Sequence, residues 1–162
     1  MHDVLVWLET AAVSTWVRES GSLWAYPTVL AAHTVGMSLL VGANAVLDLR
    51  LLGVAPLVPL GPLVVVFRGL WAGAAVSFVS GLLLFCADAT TKGTTPVFLV
   101  KLTLIAAALA VARRLRRTIY RPDTDTVAIP LAAKALAVAS LLLWAGAITA
   151  GRFMAYLTPG PS

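Results

Sequence analysis

Charge is what this sequence has least of. Only 12% of its 162 residues are Asp, Glu, Lys or Arg, whereas 60% are hydrophobic. A soluble domain keeps about a quarter of its residues charged. Half that charge excludes an ordinary water-solvated surface and makes lipid the main solvent. Cysteine is nearly absent too: Cys86 stands alone, which excludes an intramolecular disulfide and a cysteine metal cage. The two histidines are His2 and His33. The sequence carries no Gly-rich phosphate loop, no Ser/His/acid grouping at readable spacing and no carboxylate pair within its apolar stretches, so it offers no catalytic constellation. The first twenty residues lack a basic region followed by a pure apolar run, and no signal peptide is read there.

What is there is long hydrophobic runs. A membrane-crossing helix needs about 20 apolar residues, and four stretches qualify: 27–47, 69–87, 96–112 and 130–156. Pro27 suits a first helical turn, where its missing N–H costs nothing, and Thr95 is placed to cap the third stretch. Ahead of them, Val4, Leu5, Leu8, Ala12 and Trp16 recur at helical spacing, with Asp3, Glu9 and Arg18 elsewhere on the wheel. Residues 3–20 therefore read as an interfacial amphipathic helix, with Trp7, Trp16 and Trp24 at headgroup level. The expected fold is all-α: a single membrane domain over 1–162, an integral membrane four-helix bundle with an N-terminal interfacial amphipathic helix.

The net charge of +5 does not point to nucleic acid, because it is concentrated. Arg113, Arg114, Arg116, Arg117 and Arg121 crowd the link between the third and fourth spans. Arg50 and Arg68 flank the link between the first and second, whereas Asp88 and Lys92 cancel in the remaining one. The positive-inside rule then places the Arg-bearing links in the cytoplasm and both termini outside. On the second span Gly69, Gly73, Ser77 and Gly81 fall four residues apart. They form a smooth ridge for close helix approach, read as packing within the monomer rather than a dimer seam. Ala147 and Gly151 repeat the pattern once.

Ionisable groups at depth are the functional candidates. By helical rise, His33 lies about 9 Å, Lys101 about 7–8 Å and Arg152 about 6 Å below the same outer surface. Near the ends of spans, Lys101 and Arg152 have a simple structural reading as snorkelling cations. The functional reading is an anion site, in which Lys101 gives a point charge and Arg152 a bidentate fork. Thr149 and Tyr156 share the Arg152 face at i−3 and i+4 and complete such a site. On the first span His33, Met37, Leu40, Asn44 and Asp48 lie within about 60° of one line, a stripe expected to face the bundle interior. Asp48 and Arg50 are set for a local ion pair. Haem is constrained: His33 is the one histidine within a span and Met37 leaves the same face, so a bis-His haem inside one bundle is excluded. His33 serves as a metal ligand only in a five-coordinate haem or one shared across a dimer.

The segments LAAHTVGMSLLVGANAVLDLRLLG (30–53), GLLLFCADA (81–89), VFLVKLTLI (97–105) and AGRFMAYL (150–157) resemble a family of small uncharacterised bacterial four-helix membrane proteins. The chain is more distantly similar to copper-resistance D-type and cytochrome-b-type membrane bundles. The resemblance implies a bacterial inner (cytoplasmic) membrane location and marks His33, Asp48, Arg50, Lys101 and Arg152 as motif positions. Together with the basic layer it leads to an expected role as a non-catalytic subunit beside a redox or respiratory-type partner. Its outer-leaflet site, built from His33, Lys101, Arg152, Tyr156 and Thr149, would take an anionic cofactor, a quinone or a lipid. The alternatives are a subunit of a small oligomeric transporter or channel, and an electron carrier holding haem b. The expected partners are the lipid bilayer and either a protein subunit or a second copy.

Overall fold

The computed structural model describes residues 2–19, 24–54, 56–59, 63–119 and 129–157. Seven helices follow in order: α1 His2–Thr10, α2 Ala12–Glu19, α3 Ala25–Leu52, α4 Val64–Cys86, α5 Ala89–Gly93, α6 Pro96–Ile119 and α7 Leu131–Leu157. The chain is all-α among these residues, and α3, α4, α6 and α7 are each long and apolar enough to cross a bilayer. At 28 residues, α3 is about 42 Å long, more than the roughly 30 Å hydrocarbon thickness. The protein is a multi-pass membrane bundle.

The spans run longer than their apolar runs suggest, because their ends carry polar residues into the headgroup zone. The α3 helix begins at Ala25, keeping Pro27 in its first turn, and it continues past Arg50 to Leu52. It stops at Gly53, whose φ of +96° is the one positive value among the described residues. There the Val54 N–H reaches back to the Leu49 carbonyl, a glycine-terminated C-cap. The α6 helix extends to Ile119 and carries Arg113, Arg114, Arg116 and Arg117 in its last turns rather than in a loop, while Arg121 lies outside the described residues. Thr95 turns its hydroxyl back to the Thr91 carbonyl at 2.8 Å.

The four spans form an open ring in which α4 packs on α3, α3 on α7 and α7 on α6. The tightest seam is α3–α4. A Cβ on Gly73 would stand 2.6 Å from the Leu40 backbone nitrogen and 2.8 Å from the Gly36 carbonyl oxygen. A Cβ on Gly36 would meet the Ser77 backbone nitrogen at 2.8 Å. The small-residue ridge of α4 is thus spent inside the monomer. Within lipid, helices gain little from burying apolar surface against each other, so this backbone approach is how they associate. The core behind the seam gathers Leu40, Leu47, Phe67, Leu70, Ala108, Trp144 and Ala147 from all four spans.

The N-terminal amphipathic segment is two short helices rather than one, broken at Ala11. The Ser14 hydroxyl donates to the Leu8 carbonyl across the break. In α2 the buried face is Ser14 and Val17 while Val13 and Trp16 are exposed, as suits a helix lying at an interface. The α1 helix docks on α5 in the link between α4 and α6. Leu5 lies so close to Gly93 that a Cβ there would come within 2.9 Å of its methyl. The Glu9 carboxylate accepts from the Thr90 N–H at 3.0 Å and the Thr90 hydroxyl at 2.6 Å, and from Arg18 at 3.0 Å.

Two outcomes test these contacts. Gly73→Leu forces a side chain into the Leu40 backbone and should cost about 1–3 kcal/mol, the range for overpacking. Gly42→Leu, on a surface with nothing within 4 Å, should leave thermal unfolding in detergent nearly unchanged. The Thr90 hydroxyl and N–H, with Arg18, hold the Glu9 carboxyl below its ordinary 4.5. Its contribution to docking is therefore present above that value and lost as pH falls through the lower folded value. Amide exchange across residues 2–10 should accelerate in that acid window, and Glu9→Gln should show the faster exchange at neutral pH.

Candidate functional site

The polar stripe of α3 does face inward, but it meets two different neighbours. Toward the outer end His33 turns to α4. Its Nδ1 is 3.1 Å from the Ser77 carbonyl and 3.2 Å from the Ser80 hydroxyl oxygen. A carbonyl only accepts, and the Ser80 hydroxyl already donates to Val76 at 2.6 Å, so the network assigns the proton to Nδ1. Gly81 leaves the space for the ring, since a Cβ there would be 3.0 Å from its Cε1. Toward the inner end Asn44 and Asp48 turn to α7. The Asn44 amide donates to Asp48 Oδ2 and, at 2.7 Å, to the Ser140 hydroxyl oxygen.

Asp48 and Ser140 are wholly buried and Asn44 nearly so. The other Asp48 oxygen, Oδ1, is buried with no partner, as is the indole N–H of Trp144 one turn beyond Ser140. The local ion pair expected between Asp48 and Arg50 is not formed. Arg50 points along the link instead, donating to the Val58 carbonyl at 2.6 Å and the Pro56 carbonyl at 2.9 Å. The physical reason is position: they are two positions apart, about 200° around the helix, so Asp48 faces the core and Arg50 does not.

The outer basic layer is resolved into two parts. Lys101 lies half-buried across α7, its Nζ 3.7 Å from where a Gly151 Cβ would stand. Its charge acts on His33, and that of Lys92 acts on both. Lys92 has its own acid, Asp88 at 3.4 Å, and also donates to the Leu84 carbonyl at 3.0 Å. No carboxylate among the described residues pairs with Lys101. Arg152, Thr149 and Tyr156 lie on the exposed side of α7. The Thr149 hydroxyl is taken up by the Ala145 carbonyl at 2.8 Å, and Tyr156 is 85% exposed. The charges of Lys101 and Lys92 thus act on His33, whereas Arg152, Thr149 and Tyr156 lie on the exposed side of α7. Lys92 is the member the sequence reading left out, because its cancellation by Asp88 hid its nearness to Lys101.

Haem fits these residues poorly. An Nδ1–H held by a carbonyl is how a ligating imidazole is often oriented. Yet His33 is packed on Gly81, and one turn inward the α3–α4 seam closes to backbone contact at Gly36 and Gly73. No group of three or more His, Cys, Asp or Glu gathers among the described residues. Comparison with protein-family models, curated proteins and solved structures finds no match.

The buried cluster is open to test by removing one hydroxyl. Ser140→Ala takes away a partner of Asn44 and should lower stability by about 1–3 kcal/mol, the cost of leaving a buried polar group short of a hydrogen bond. Ser38→Ala, on the exposed side of α3, should change the unfolding midpoint little.

Proposed function

We propose that this chain is a non-catalytic subunit of a bacterial cytoplasmic-membrane assembly that holds a polar or anionic headgroup at its outer end. The headgroup belongs to a cofactor, a quinone or a lipid. The observation that carries the reading is Lys101: a half-buried ammonium laid over Gly151, near two further basic groups and with no carboxylate of its own among the described residues. An uncompensated cation at the edge of hydrocarbon is expensive unless an anion or water meets it. Arg152, one residue past Gly151 on the outward side, extends the positive field to where a ligand or partner would approach. The resemblance to cytochrome-b-type bundles supports a redox or respiratory-type partner. The concentration of arginine at the opposite end supports an orientation with that end in the cytoplasm and both termini outside.

A conduit role is served less well. Between His33 and Asn44 the stripe passes Leu40, which is buried in the core with Met37 packed against it, so no run of polar groups joins the two ends in one copy.

Retention of co-purifying ligand after detergent extraction tests the proposal. Lys101→Gln should lose an acidic lipid, quinone or cofactor that the wild type retains, with a drop in affinity of about 2–4 kcal/mol, the scale for truncating a buried charge partner. Arg152→Leu should lose less, and Arg152→Lys should recover part of that loss. Equal retention in all variants with unchanged melting would leave these cations as interface anchors.

A further inference from the structure

At the other end of the bundle a second basic feature has a shape of its own. A groove of about 660 Å³ opens between α4 and α6, lined by Trp71, Arg113, Arg116 and Arg117. The Arg113 guanidinium sits 4.8 Å over the Trp71 ring, and that of Arg116 sits 5.9 Å over Phe67. Stacking on an aromatic face holds a guanidinium in place while leaving its N–H edge free to donate. None of the three lining arginines pairs with a carboxylate among the described residues.

The α4 and α6 helices close the ring least tightly: they meet at the outer end, where Phe85 and Phe98 stack at 5.0 Å. Between that stack and the arginines, the facing positions by helical phase include Phe78 and Leu102, which are 72% and 46% exposed. By helical phase, the apolar flanks of α4 and α6 would form the sides of a furrow between the Arg-lined groove and the Phe85–Phe98 stack.

We infer that this groove is a seat for one anionic phospholipid, with its phosphate on Arg113, Arg116 and Arg117 and an acyl chain along the furrow between α4 and α6. Charge selects the headgroup, because three forked donors line one groove and none of them pairs with an acid among the described residues. The joined furrow selects a lipid over a soluble phosphate, since only a lipid fills both parts. Basic pockets between spans at a membrane surface are suited to acidic headgroups on general electrostatic grounds. This site is separate from the Lys101 site at the opposite end, and either can fail without the other.

Native mass spectrometry of the detergent-purified full chain reads the affinity for dioleoyl phosphatidylglycerol against dioleoyl phosphatidylcholine. Wild type should prefer phosphatidylglycerol. Arg113→Gln/Arg116→Gln should reduce that affinity by about tenfold or more, as expected for losing charge-assisted hydrogen bonds. Arg68→Gln/Lys134→Gln removes the same charge from exposed positions at the same end and should change it less than about twofold, the outcome for charges acting through screened solvent. Arg117→Gln, which strips a lining residue without touching an aromatic contact, gives a second reading if the double variant melts early. An equal fall in the control pair would reduce the effect to general surface potential and overturn the site. Equal binding of the two lipids, or glycerol 3-phosphate binding as tightly as phosphatidylglycerol, would overturn it as well.

Discussion

The backbone contact of α3 with α4 at Gly36 and Gly73 governs the rest of the bundle. Two helices that touch main chain to main chain cannot rotate or slide without collision. That contact fixes which residues flank it. One turn outward, His33 falls on Gly81 and finds the Ser77 carbonyl. One turn inward Leu40 still lies against Gly73 of α4, and a turn further Asn44 meets Ser140, which α7 supplies to the amide. It also explains the open side of the ring. With α4 drawn onto α3 and α6 onto α7, the α4–α6 gap is closed by aromatic side chains at its outer end and by arginines stacked on rings at its inner end.

The two ends handle positive charge by different chemistry. At the outer end cations meet carboxylates: Arg18 meets Glu9 and Lys92 meets Asp88. Glu9 also fastens α1 to α5 through Thr90, so the docking of that surface helix and its charge balance are one structure. Lys101 stands outside that balance. At the inner end guanidiniums use carbonyls and ring faces, with Arg50 on the 56–58 link and Arg113 and Arg116 on Trp71 and Phe67. Guanidinium is planar and weakly hydrated, which suits such partners; an ammonium is a compact, strongly hydrated point charge, which does not.

Much of this was legible in the residues. Hydrophobic length located four spans, the period-four glycines marked a close-packing face on α4 without naming α3 as its partner, and 100° spacing put His33, Asn44 and Asp48 on the inner face. What stayed hidden depends on relations that periodicity does not encode. The Glu9–Thr90 contact joins residues 81 positions apart, so the docking of α1 on α5 has no local signature. The break at Ala11 rests on a side-chain bond from Ser14 to Leu8. Helical rise gave the depths of Lys101 and Arg152 but not which way each points around the bundle. Lys101 crosses Gly151, while Arg152, the next residue, is turned about 100° from that line. Equal depth is therefore not convergence.

The same distinction bears on the stripe of α3. His33 and Asn44 are eleven residues apart, about 16 Å along the helix, and the two ends of the stripe engage different helices. Leu40, buried at the meeting point of all four spans, lies between them. A water or ion path needs polar groups close enough to hand a charge from one to the next, and a buried leucine against a glycine seam interrupts that series. To carry anything along α3, the α3–α4 contact would have to open, and that contact is made by backbone atoms with no side chain to swing aside. The polar residues of α3 are consequently two anchored islands. The one toward the N-terminal end of α3 lies within the field of Lys101, which pairs with no carboxylate among the described residues, and the other locks α3 to α7. Each is held in position by hydrogen bonds to a neighbouring helix, His33 to α4 and Asn44 to α7.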